Sequence, residues 1–153
     1  MVVERIYICP DPGGLQIECQ YVSVVEGAGI VGDRYFGCQD EPGRNITLIE
    51  VVEVEEFIRV HQRSDDLSIT HRNILTRGVR LNELVGVEFL VGDVKLRGVE
   101  LCEPCLGMGQ ALSSDALPPA AVVKHFVRRG GLRATLLSSG AIEIGAKIAR
   151  TAA

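Results

Sequence analysis

The sequence predicts a mainly β fold, a β-barrel-like body with two or three inserted helices. Three observations predict it. Apolar and β-branched residues come in short runs, glycine-rich turns separate the runs, and only two segments carry a clear helical period.

Taken in order, "VERIYIC" (Val3–Cys9) is apolar and β-branched, as a strand requires. "LQIECQYVSVV" (Leu15–Val25) sets Leu15, Ile17, Cys19 and Tyr21 against Gln16, Glu18 and Gln20, the period of one half-buried strand. "GAGIVG" (Gly27–Gly32) matches a dinucleotide-binding pattern in letters alone. The residues after it, "DRYFGCQDEPGRN", have no helical period to receive a pyrophosphate. It reads instead as a tight loop ending in the polar pair Asp33-Arg34. "NITLIE" (Asn45–Glu50) is a short strand. "IEVVEVEEFIRVHQ" (Ile49–Gln62) is a helix with Val51, Val54, Phe57, Ile58 and His61 on one face and acids toward its start. "VGVEFLVGDVKLRGVELC" (Val85–Cys102) holds two or three strands, with hairpin chemistry at Gly92-Asp93 and a bulge at Gly98. "LPPAAVVKHFVRRGG" (Leu117–Gly131) opens on prolines and ends on cations and glycines, the punctuation of a helix. A further short helix is weakly signalled after Cys105. "LRATLLSSGAIEIGAKI" (Leu132–Ile148) is a strand pair turning at Ser138–Gly140. No repeat or linker divides the chain, so residues 1–153 are expected to form one domain. Alternating βαβ units are not indicated.

Apolar residues make up 46% and charged residues 24%, which suits an ordinary globular protein. The sequence has no apolar run of membrane-spanning length, and its opening residues do not resemble a signal peptide. A cytoplasmic protein without membrane association is expected. The net charge of −4 argues against general nucleic-acid binding. The charge is uneven, however. Thirteen of the 20 acids lie in residues 1–66. Two acid-free stretches carry Arg72, Arg77 and Arg80, and then Lys124, Arg128, Arg129 and Arg133. Arginine outnumbers lysine 13 to 3, and its planar fork grips phosphate or carboxylate. A local anion site follows from these features; solvated basic faces are the alternative.

The five cysteines are Cys9, Cys19, Cys38, Cys102 and Cys105. Cys9 and Cys19 read as small core residues and Cys38 as a loop residue without a role. "CEPC" (Cys102–Cys105) permits three readings. Structural zinc needs two further ligands at suitable spacing, and no second Cys-x-x-Cys exists, with His61, His71 and His125 scattered. A thioredoxin-type pair needs a βαβ setting. A single reactive thiol suits the context better. Cys105 is the stronger candidate, since Pro104 before it suits a helix start, where backbone N–H groups lower a thiol's pKa. Near the acid-free stretch, "ITHRNILTRG" places Arg72 beside Asn73, a pair able to fix an anionic ligand. Asn73 could equally cap a turn.

The segments "GDRYFG", "NITLIE", "HRNILTRGVRLNELVGVEF", "GVELCEPC", "RGGLRA" and "IEIG" follow one another in an order that resembles the MOSC domain, named for the C-terminal domain of molybdenum-cofactor sulfurases. The resemblance implies a β-barrel-like fold and a role with the molybdenum cofactor, a pterin carrying a phosphate and a dithiolene-bound metal. It implies that Cys105 ligates molybdenum or carries sulfur as a persulfide. Arg72, Asn73 and Arg133 would hold the phosphate or pterin, and Arg34 is a further candidate. Sulfur would come from a separate cysteine desulfurase, or electrons from a separate reductase. Pyridoxal phosphate is not expected on this chain, which is too short for a desulfurase domain. Two departures stand out: His71 occupies a place where another arginine is expected, which would lower phosphate affinity or make it pH-dependent, and Cys102 is an extra thiol that could form a resolving disulfide or serve as a second ligand. The main expectation is a cofactor-binding or sulfur-carrier protein. The alternatives are a molybdenum oxidoreductase of N-oxygenated substrates and a non-catalytic interaction domain with a structural or redox Cys-x-x-Cys.

Overall fold

The computed structural model describes residues 1–38, 45–104 and 106–151. Eleven strands dominate the described residues. They are β1 (Val2–Ile8), β2 (Ile17–Cys19), β3 (Tyr21–Val25), β4 (Gly29–Ile30), β5 (Ile46–Glu50), β6 (Ile74–Arg77), β7 (Glu88–Val91), β8 (Val94–Leu101), β9 (Leu132–Leu136), β10 (Gly140–Glu143) and β11 (Ile148–Arg150). Three helices join them: α1 (Val51–Val60), α2 (Leu106–Leu112) and α3 (Pro119–Phe126). The expected mainly β fold with inserted helices is the observed one.

One large sheet runs in the order β11-β7-β8-β9-β5-β6-β1-β2. It curls until its ends approach. Val3 N–H donates to the Ala146 carbonyl (2.9 Å), Gly145 N–H to Val3 (2.8 Å) and Ile148 N–H to Met1 (2.9 Å), which ties the start of the chain to the segment that leads into β11. A smaller sheet, β10-β3-β4, covers the curled body. Its Val22, Val24, Ile30 and Ile142 join the same interior as Ile6, Leu48, Ile74, Phe89 and Leu132. Burial of this interior is the main favourable term in folding.

The outer face of β1, β5 and β6 carries a second apolar cluster. Tyr7, Ile49 and Leu75 pack there against Val54, Phe57 and Ile58 of α1 and against Val122 and Phe126 of α3. The helical face read from the sequence is therefore the buried face. Helix α1 links β5 to its parallel neighbour β6. That is one βαβ crossover, which the strand-rich pattern did not indicate; a parallel pair needs such a long connection.

Two expected pairings are corrected. Leu15–Val25 is not one strand. The chain breaks at Gln20, β2 joins the large sheet through β1, and β3 joins the small one. The alternation changes phase at the break, so Leu15, Ile17 and Tyr21 are exposed and Val22 and Val24 are buried. Likewise β9 and β10 do not form a hairpin, since β9 lies between β8 and β5 while β10 pairs with β3. In both places a turn transfers the chain between sheets, and period-two patterning carries no information about which sheet a strand joins. The Gly92-Asp93 hairpin forms between β7 and β8 as expected, and the β8–β9 register shifts between Gly98 and Glu100, where a bulge was expected.

Candidate anion and thiol site

The site forms where polar residues interrupt the outer apolar face. On β5 the inward side chains are Ile46 and Leu48. Thr47 therefore points outward, in line with Ile49. Thr47 stands opposite Arg133 of β9, and Arg133 stands opposite Glu100 of β8. On the other side of Thr47 lies Asn73, just before β6. Asn73, Thr47, Arg133 and Glu100 thus form a polar row across four strands.

Asn73 knits this row together. Its Oδ1 accepts from Thr47 N–H and Thr47 Oγ1 (both 3.1 Å), and its Nδ2 donates to the Tyr7 carbonyl (3.1 Å). One amide hydrogen remains for another partner. Asn73→Ala removes three bonds and leaves the Thr47 N–H without its acceptor. It is expected to destabilise the chain by about 2–4 kcal/mol in urea unfolding. A loss under about 0.5 kcal/mol would mean that water replaces the amide.

Cys102 follows β8 at one end of the row. Its backbone N–H donates to the Gly131 carbonyl (2.8 Å), and its thiol is buried, with 2% of its surface exposed. Burial pushes this thiol's pKa up, while Arg72 and Arg133 pull it down without cancelling the rise. Cys102 is therefore a protonated thiol beside two guanidinium groups. Arg133 also pairs with Glu100 at 2.9 Å. Arg72 donates from Nε to the Gly130 carbonyl (2.9 Å).

Gly130 and Gly131 make this convergence possible. A Cβ on Gly130 would stand 2.1 Å from the Cys102 carbonyl oxygen, and one on Gly131 would stand 2.0 Å from that of Leu48. The pair does more than stop α3, which already ends at Phe126. It lets three backbone segments touch.

Beyond Arg72 the arc continues to His71 and Arg34. Arg34 donates from Nη1 to the Cys9 sulfur (3.3 Å) and from Nη2 to Tyr35 Oη (3.2 Å). Asp33 fixes this loop, its two oxygens accepting from Cys9 N–H (3.0 Å) and Tyr35 N–H (3.3 Å). Among the described residues, the hydrogen-bond partners of Arg34 and Arg72 are neutral. A cavity of about 40 Å³ is lined by Cys9, Gln16, Arg34, Thr47, His71 and Asn73, among others. It shares Arg34, Tyr35 and His71 with a shallower cleft of about 480 Å³. Two larger hollows elsewhere, of about 340 and 550 Å³, have no thiol among their described lining residues.

Of the expected site residues, Arg72 and Arg133 converge on Cys102, while Arg34 and Asn73 line the adjoining cavity. Cys105 lies outside the described residues. Arg129 turns elsewhere, approaching Glu53 and Glu56 at 3.8 and 3.7 Å, and the backbone N–H of Arg128 donates to Glu103. Sequence reading missed Thr47, Gln16, Tyr35 and Glu100. The alternation along β5 and β9 could have placed Thr47 and Arg133 on one face; nothing in the sequence marks Gln16. Cys9 is a buried residue as expected, but its sulfur also accepts from Arg34. Among the described residues, no three His, Cys, Asp or Glu side chains converge as metal ligands. Nor is any helix among them long and apolar enough to cross a membrane.

The site is thus a small polar cavity, lined by Arg34, His71 and Asn73 among others, on the outside of a curled, mainly β body. The MOSC domain model matches residues 39–149, and the chain belongs to the MOSC domain family, which is associated with molybdenum-cofactor functions. The fold is similar to that of the YuaD protein of Bacillus subtilis, with a TM-score of 0.82 and 19% identity over 96% of this chain and 93% of that one. It is also similar to YiiM of Escherichia coli (TM-score 0.65, 13% identity, 100% of this chain and 71% of that one). YiiM of Geobacillus stearothermophilus gives a TM-score of 0.67 at 14% identity, over 99% of this chain and 74% of that one. No curated protein matches the sequence.

Proposed function

We propose that this protein binds the molybdenum cofactor or carries sulfur for it, its 153 residues acting as one domain in the cytoplasm. The observation that carries the reading is the convergence near Cys102 of Arg72, bonded to the Gly130 carbonyl next to the Gly131 carbonyl that Cys102 N–H meets, and of Arg133, paired with Glu100 two residues before Cys102, with Arg34 in the adjoining cavity. The donor set suits the cofactor's phosphate. Guanidinium groups with neutral partners keep their full charge for an anion, and each such contact contributes about 1.5–3 kcal/mol. Arg72, Arg133 and Arg34 would hold the phosphate, and Asn73 would offer its remaining amide hydrogen to the pterin.

The bound cofactor would supply a soft metal able to bind thiolate or sulfide. On this chain Cys105 is the residue assigned to meet that metal or to bear a persulfide. Burial keeps Cys102 protonated, so it is a poor competitor for the same role. Sulfur would arrive from a separate cysteine desulfurase.

The test is cofactor retention by purified protein, followed by pterin fluorescence and metal analysis. Arg133→Ala is expected to weaken retention about tenfold, the lower end of the range, because Glu100 already shares its charge. Its melting temperature should stay near that of the parent. A variant that melts early but retains cofactor would make Arg133 structural.

A further inference from the structure

We propose that His71 is a proton-accepting member of the anion site: when an oxyanion settles beside Arg34, the imidazole takes up a proton, so that anion and proton bind together. The inference rests on the reading of these arginines as an anion site.

The placement of the ring is the first observation. His71 ends the turn Leu67–Thr70 with φ at 58°, a left-handed conformation that residues other than glycine seldom adopt. Its ring lines both the small cavity and the adjoining cleft, as Arg34 does.

The second observation is its partner. Gln16 Nε2 lies 3.2 Å from His71 Nδ1. With the amide donating, Nδ1 accepts and a neutral ring carries its hydrogen on Nε2. A protonated ring needs an acceptor at Nδ1, and a half-turn of the Gln16 amide presents its oxygen there. Both charge states of His71 are therefore satisfied by one side chain, which a lysine or an aspartate at this position would not allow.

The third observation is the surrounding charge. Burial first, then Arg34 and Arg72, hold the His71 pKa below the ordinary imidazole value. Asp66 opposes them, but its Oδ1 already accepts from Ser68 N–H and Oγ. Asp33 is engaged by two backbone N–H groups. Tyr35, Cys9 and Cys38 complete the titratable groups around the cavity and cleft. An anion beside Arg34 adds negative charge next to the ring, beyond that of the engaged Asp33 and Asp66, and raises the pKa of His71. The sign follows. Affinity rises as the pH falls from the raised, liganded pKa to the lowered, free one, and is flat outside that window.

Sulfate is the probe, because it stays a dianion across the window and adds no proton of its own. Titration calorimetry at about pH 5.5 and about pH 7.5, in buffers of different ionisation heat, reads affinity and proton uptake together. The expected result is proton uptake by the protein and about tenfold tighter binding at the lower pH, a usual size for coupled sites. The His71 ring resonances should titrate at higher pH with sulfate present. His71→Asn suits the left-handed backbone and should abolish the proton uptake and flatten the pH dependence. Arg34→Ala should weaken binding at both pH values. Sulfate binding without proton uptake, or an unchanged His71 titration in the parent protein, overturns the proposal and leaves the anion site standing. Absence of sulfate binding at either pH overturns both.

Discussion

Gly131→Ala is expected to destabilise the protein by about 4 kcal/mol or more, a large share of the total stability of a domain. Two effects combine. The backbone at Gly131 has φ of 100°, where a Cβ is strained. That Cβ would also stand 2.0 Å from the Leu48 carbonyl oxygen, deep in the sheet, where no flexible side chain can give way. The Leu48 carbonyl belongs to β5, and β5 is hydrogen-bonded to both β6 and β9. Relief would require separating β9 from β5, which would displace Arg133 from Thr47 and move the Cys102 N–H from its acceptor. Urea and thermal unfolding check the size of the loss. A folded variant within about 1 kcal/mol of the parent would show that the three segments need not touch, and the positioning assigned to the glycine pair would fall with it.

Cys105→Ala is expected to abolish metal or persulfide loading, and Cys102→Ala to spare most of it. The contrast rests on what surrounds Cys102. Its thiol is buried and stays protonated under the dominant effect of burial, with Arg72 and Arg133 only partly opposing it. Removing it leaves a small cavity, with a stability loss of about 1–2 kcal/mol, and takes no thiolate from the site. Metal analysis and intact-mass spectrometry on both variants, purified after loading with cofactor or with a sulfur donor, separate the two residues. Equal loss from both would favour the paired-cysteine reading, in which Cys102 exchanges with Cys105.

The order of short strands, the turns at Gly92 and Gly98, and the buried face of α1 were legible in the residues. Each depends on contacts within a few residues or on a local period. Arg72 and Arg133 stood out because acid-free basic stretches are visible as composition. The structure alone decided that β2 and β3 part at Gln20, that β10 pairs with β3 instead of β9, and that Thr47 bridges Asn73 and Arg133. These are pairings between distant segments, selected by how the sheets close over a shared interior, and they leave no periodic mark on either partner. His71 shows the division best. The sequence made it a histidine where an arginine is expected, and so pH-sensitive. Only the folded chain set Gln16 against one nitrogen and brought Arg34, some 37 residues away, to the same cavity.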